Sequence, residues 1–91
     1  MLKGKTALIT GASRGIGEAI AIEFAKNKAD VIINYYSDKY EAQKVVDKVK
    51  TYGVNCAAVQ ADVSKVDEVK RMADEIQKQF KKVDILVNNA G

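Results

Sequence analysis

A chain of 91 residues, 47% hydrophobic and 30% charged, with neither proline nor tryptophan, has the make-up of one small globular unit and excludes a disordered, fibrous or membrane-spanning chain. Fifteen basic residues against twelve acidic ones leave a net charge of +3. The signs are interspersed, which describes a mixed solvated surface and argues against a nucleic-acid partner. No histidine is present and Cys56 is the single cysteine, so histidine-dependent metal or base chemistry and an internal disulfide are excluded.

The start, Met1-Leu2-Lys3-Gly4-Lys5, lacks the apolar core of a signal peptide, and no run reaches membrane-spanning length; a cytoplasmic setting is expected. Lys5 to Thr10, with the apolar run Ala7-Leu8-Ile9, reads as a first strand. Ile16, Ala19, Ile20 and Phe24 then recur at helical spacing and predict a first helix that fades near Asn27. Val31-Ile32-Ile33 is a β-branched second strand. Ser37 or Asp38 is placed to cap a second helix, whose apolar stripe is Ala42, Val45, Val46, Val49 and Tyr52. Asn55 to Gln60 reads as a third strand. Ser64 is expected to cap a third helix with the stripe Val66, Val69, Ala73, Ile76 and Phe80. Val83 to Val87 is a fourth strand, and Asn88-Asn89-Ala90-Gly91 follows it.

Strands separated by helices pair in parallel through right-handed crossovers. The expected fold is α/β: a Rossmann-type open parallel sheet in the order 3-2-1-4. Helices one and two cover one face and helix three the other. Residues 1–91 then form the dinucleotide-binding part of a domain that stops after its fourth strand, without internal repeat or linker.

The stretch Thr10-Gly11-Ala12-Ser13-Arg14-Gly15-Ile16-Gly17 joins the first strand to the first helix. Glycine has no Cβ to hinder a close ligand, and a helix start presents unpaired N–H groups and partial positive charge. A diphosphate is the natural occupant. The alternative is three glycines in an ordinary loop. A P-loop is excluded because Glu18-Ala19 stands where Lys-Ser or Lys-Thr would follow.

Three further groups belong to the carboxyl edge of such a sheet, where ligands bind. The second strand ends Asn34-Tyr35-Tyr36-Ser37, with no acid before Asp38. A carboxylate there would bind a ribose 2′-hydroxyl and repel a 2′-phosphate. Its absence, with the guanidinium of Arg14 in the glycine turn, favours NADP over NAD. Asp62-Val63 follows the third strand; Asp62 can accept from an adenine amino group, or can shape its own loop, and both readings stay open. Asn88-Asn89-Ala90-Gly91 offers side-chain amides and small residues to a ribose, or is a polar turn. Tyr35-x-x-x-Lys39 and Tyr40-x-x-x-Lys44 occur, but at the second strand's end and in the next helix, away from a nicotinamide; they read as chance matches. No catalytic residue is assigned.

The glycine turn, Asp62-Val63 and Asn88-Asn89-Ala90-Gly91, in this order and spacing, resemble the cofactor-binding part of the short-chain dehydrogenase/reductase family. Its 3-oxoacyl-[acyl-carrier-protein] reductase group, of fatty-acid synthesis, is the nearest in flavour. The resemblance implies NADP(H) held by Gly11, Ser13, Arg14, Gly15, Ile16 and Gly17, a 2′-phosphate bordered by Tyr36 and Ser37, adenine flanked by Asp62 and Val63, and ribose lined by Asn89, Ala90 and Gly91. It implies hydride transfer between the nicotinamide and a carbonyl or alcohol, with a tyrosine as general acid helped by a lysine and a serine; that serine and the Tyr-x-x-x-Lys pair lie beyond Gly91, so the chain alone is expected to be inactive. It also implies a homo-oligomeric, tetrameric parent, while an uncovered fourth strand predicts self-association or swapping of the chain itself. A stand-alone nucleotide-binding module and a non-redox relative, such as an epimerase or redox sensor, are the alternatives.

Overall fold

Among the described residues, 1–89 of a computed structural model, strand and helix alternate. They are β1 (Thr6–Ile9), α1 (Gly15–Lys26), β2 (Asp30–Tyr35), α2 (Lys39–Lys50), β3 (Cys56–Gln60), α3 (Val66–Gln79) and β4 (Ile85–Val87). The strands form one parallel sheet in the order β3-β2-β1-β4, as expected from the crossover argument. Leu8 lies opposite Ile32 on one side and Leu86 on the other, so the register carries the ends of β1, β2 and β4 to one edge.

A parallel strand covered on both faces has no solvent side, which is why β2 reads as an unbroken apolar run. Val31, Ile32 and Ile33 are fully buried; each such side chain contributes about 1.5–3 kcal/mol of transfer free energy. Ile9, Val31, Ile33 and Tyr35 pack with Ala21 and Ala25 of α1 and with Ala42, Val45, Val46 and Val49 of α2. Leu8, Ile32 and Val59 pack on the other face with Met72 and Ile76 of α3. The expected division of the helices between the faces is therefore present. The stripe of α2 is also as expected, and Asp38 provides the cap, its Oδ1 accepting from the amide of Glu41 at 3.0 Å.

Three expectations need correction. In α1 the buried side is Gly17, Ala21 and Ala25, with Ile20 and Phe24 half-buried, while Ala19 is exposed and Ile16 is 74% exposed. The close approach of Gly17 to the preceding turn turns its neighbour Ile16 outward and sets the frame one residue later. In α3 the residue at the cap position is Lys65, which makes no side-chain cap bond. The Ser64 hydroxyl donates instead to Asp62 Oδ1 at 2.6 Å. The buried residues of α3 are Met72 and Ile76; Val66, Val69 and Ala73 are exposed and Phe80 is half-buried. Few groups stand opposite them, because β4 is only three residues long and Leu86 faces an open apolar groove between α3 and the sheet.

The shortness of β4 has its own cause. Asp84 stands in the pairing position one residue before it: its amide donates to the Thr6 carbonyl at 2.9 Å and its Oδ2 accepts from the Thr6 amide at 2.9 Å. A side chain thus occupies a ladder site, and regular strand begins at Ile85 instead of Val83.

Candidate functional site

The carboxyl ends of β1, β2 and β3 border a trough made of two adjoining cavities that share Tyr36 and Asp62. The larger, about 790 Å³, is lined by Gly11, Asn34, Val63 and Asn88 among others. The smaller, about 510 Å³, lies between the starts of α2 and α3 and is lined by Ser37, Lys39, Gln60 and Lys65 among others.

The glycine turn overhangs one side of this trough. Gly11 and Gly15 take φ of 62° and 65°, in the left-handed region where a side chain would be strained. A Cβ placed on Gly15 would meet nothing within 4 Å. The turn is therefore open on the side where α1 begins, and the first amides of a helix have no acceptor within it. This is a fit for a diphosphate. Arg14, just before α1, is exposed in extended backbone and forms no ion pair among the described residues. Ser13 is half-buried and Ile16 exposed at the same lip.

Gly17 has a different place. A Cβ there would stand 2.6 Å from Asn89 Nδ2, 2.7 Å from the Gly11 carbonyl oxygen and 2.8 Å from Ala12 Cα. Gly17 is buried beneath the turn and lets it fold back onto the helix. Asn89 completes the contact: its Nδ2 donates to the Gly11 carbonyl at 3.0 Å and its amide donates to Thr10 Oγ1 at 2.9 Å. Asn89 is thus a brace for the turn. Ala90 and Gly91, expected beside it, lie outside the described residues.

Asn34, read from the sequence only as a strand end without charge, is the residue that sequence reasoning missed. It is 2% exposed. Its Oδ1 accepts from the Gly11 amide at 3.3 Å, and its Nδ2 donates to the carbonyls of Val59 at 3.4 Å and Ala61 at 3.2 Å. Its own carbonyl accepts from the Ala12 amide at 3.1 Å. A polar residue directly after a fully buried β-branched run was the available signal.

Asp62 is half-buried, and its Oδ1 accepts from both the amide and the hydroxyl of Ser64. These bonds, the hydroxyl's first, hold its carboxyl below the usual carboxylate range. The loop-shaping reading of Asp62 is thus present, and the second oxygen is left for another donor. Tyr36 and Ser37 are exposed at the trough, and Val63 lines it. Tyr35 belongs to the core against α1 and α2, and Tyr40 lies exposed with Lys44 Nζ 5.0 Å from its ring centroid. Neither Tyr-x-x-x-Lys match builds a reaction site. Among the described residues, no three His, Cys, Asp or Glu side chains converge to hold a metal ion, and no helix is long and apolar enough to cross a membrane.

A parallel sheet ordered 3-2-1-4, with a tight glycine turn opening the helix after its first strand, defines a Rossmann-type nucleotide-binding unit. Residues 5–91 match the family described as short chain dehydrogenase. The chain belongs to the short-chain dehydrogenase family, whose members are oxidoreductases. It is 52% identical over 87 residues to the 3-oxoacyl-[acyl-carrier-protein] reductase FabG of Staphylococcus epidermidis, a match covering 96% of the chain and 36% of that protein. A short-chain dehydrogenase/reductase from Serratia marcescens superposes with a TM-score of 0.93 at 37% identity, over 99% of this chain and 37% of its own. An NADH-dependent reductase, A1-R', solved with NAD, superposes with a TM-score of 0.90 at 39% identity, again over 99% of this chain and 37% of its own. The chain thus spans little more than a third of the length of the proteins it matches.

Proposed function

We propose that the chain is the NADP(H)-binding part of a carbonyl reductase of the 3-oxoacyl-[acyl-carrier-protein] reductase type. The observation that carries this reading is the end of β2. No carboxylate stands between Asn34 and Ser37 at the trough, while the Arg14 guanidinium across the glycine turn has no partner of its own among the described residues. A ribose 2′-phosphate meets the Arg14 guanidinium and no carboxylate from the end of β2, and a charge-assisted contact favours it roughly 10-fold or more.

In this reading the residues divide the cofactor between them. Gly11, Ser13, Arg14, Gly15 and Ile16 present backbone and guanidinium to the phosphates, and Gly17 shapes the turn. Tyr36 and Ser37 border the 2′-phosphate, Asp62 and Val63 flank the base, and Asn89, Ala90 and Gly91 are assigned to the ribose side. The bound nicotinamide supplies the hydride. No residue of this chain is assigned to proton transfer, so residues 1–91 bind and orient without turnover. The similarity to the staphylococcal reductase supports the oxoacyl substrate class. The mixed-charge surface and the single buried thiol fit a cytoplasmic protein.

Calorimetric titration tests the cofactor. NADPH should bind at least about ten-fold more tightly than NADH, and Arg14→Gln should narrow that gap. Equal affinities in the unaltered chain overturn the NADP reading. β4 lies at the edge of the sheet with Leu86 64% exposed, which supports self-association of this chain through that strand; size-exclusion chromatography over a range of concentrations reads it.

A further inference from the structure

Tyr36 and Asp62, the two residues that both cavities of the trough share, belong to no strand or helix: Tyr36 directly follows β2 and Asp62 stands two residues after β3. Each is tied through its peptide group to a side chain. Gln60 Nε2 donates to the Tyr36 carbonyl at 2.8 Å, and the Asp62 amide donates to Glu68 Oε1 at 2.8 Å.

Both tethers meet at one guanidinium, that of Arg71 in α3. Its Nη2 donates to the Gln60 carbonyl at 2.7 Å and to Gln60 Oε1 at 3.2 Å, and lies 3.8 Å from Glu68 Oε1. Its Nη1 donates to Glu75 Oε1 at 3.0 Å. A planar fork serves acceptors on two sides at once, which an ammonium group on a flexible stem does not. Arg71 lines neither cavity. Its side chain is 44% exposed, and exposed ion pairs add little to stability. What the network can govern is where Tyr36 and Asp62 stand.

That position has a chemical consequence at Asp62. Its Oδ1 is occupied by the amide and hydroxyl of Ser64, and Oδ2 is left for a ligand. A carboxylate oxygen held in one direction distinguishes a base that carries an amino group, a donor, from one that carries a carbonyl oxygen there.

We propose that Arg71 is a positioning residue for base selectivity: from outside the trough it holds Tyr36 through Gln60 and Asp62 through Glu68, and so sets two walls of an adenine site. The proposal rests on the cofactor reading above and deepens it at the base.

The test titrates the unaltered chain, Arg71→Gln and Arg71→Lys calorimetrically with ADP and with inosine diphosphate, which carries a carbonyl oxygen in place of the adenine amino group. The unaltered chain should prefer ADP about ten-fold. Arg71→Gln should reduce that preference to about two-fold or less, through weaker ADP binding. Arg71→Lys keeps the charge without the fork and should lose the preference likewise. Any change in general attraction for an anion falls on both ligands and cancels in their ratio. Thermal unfolding of the variants should match that of the unaltered chain, because Arg71 is exposed. A preference kept by either variant, a loss that falls equally on both ligands, or equal affinities in the unaltered chain overturns the positioning role and leaves the nucleotide-binding reading standing. If the unaltered chain binds neither ligand, both are overturned.

Discussion

The Asn34 side chain holds the Gly11 amide at 3.3 Å from the end of the neighbouring strand, and its other end holds one carbonyl near the end of β3 and one just beyond it. One neutral side chain thereby joins the strand ends that border the trough. The direction of these bonds matters, because only an amide both accepts from Gly11 and donates to Val59 and Ala61.

Asn34→Ala should cost about 1–3 kcal/mol, since it leaves buried peptide groups without their partner. Asn34→Asp, nearly isosteric, should cost more than Asn34→Ala. Its carboxylate would be buried facing the carbonyls of Val59 and Ala61, which it cannot serve as a donor. Urea denaturation of the two variants at neutral pH gives the ranking, and a milder effect of aspartate would show that the amide's donor end carries no weight.

Gly15 and Gly17 should fail in different ways. Gly17→Ala places a methyl against backbone of Gly11 and Ala12, which cannot swing aside, and should cost about 1–3 kcal/mol in stability. Gly15→Val meets open space and carries mainly the left-handed backbone penalty of about 1–2 kcal/mol. Its side chain should occupy the phosphate position and abolish dinucleotide binding in a chain that still folds. Parallel thermal unfolding and NADPH titration separate the two effects.

The difference between these glycines marks how far the sequence could be read. Strand order and the placing of the glycine turn follow from local patterns: β-branched runs, helical spacing and glycines between them. Ile16 and Val66 show the limit, for their spacing fits a buried stripe while their helices turn them outward. Which frame of a helix is buried depends on what stands opposite, as with Gly17 beneath the turn. Asn34 was illegible for a related reason: its partners lie 23 to 27 residues away, and no local pattern names them. Ser64 offered a plausible cap, but Asp62 two residues earlier captured its hydroxyl.

Asp84 should make stability depend on acid. The Thr6 amide first, and then the Lys82 ammonium at 3.0 Å, hold its carboxyl below the usual carboxylate range. A carboxyl lowered by folding contributes its stability above the unfolded-state value, near pH 4, and loses it as pH falls through the folded-state value. The unaltered chain should therefore outlast Asp84→Asn in urea at neutral pH, and the gap should close on acidification below about pH 4. A gap that stayed constant with pH would show that the ionised form has no advantage.

Cys56 should be inert while the chain is folded. Burial pushes its thiol up to about 12, so almost no thiolate exists at neutral pH. A thiol-directed disulfide reagent at about pH 8 should label it negligibly in buffer and stoichiometrically in denaturant. Rapid labelling of the folded chain would show that the β3 end of the sheet opens readily.

The brace from Asn89 to Thr10 joins residues 79 positions apart. During synthesis, the cradle near the beginning of the chain must therefore wait, unfinished, until the segment after β4 has left the ribosome. A nascent chain released short of that point would carry all three glycines and still lack a pocket rigid enough to retain a nucleotide.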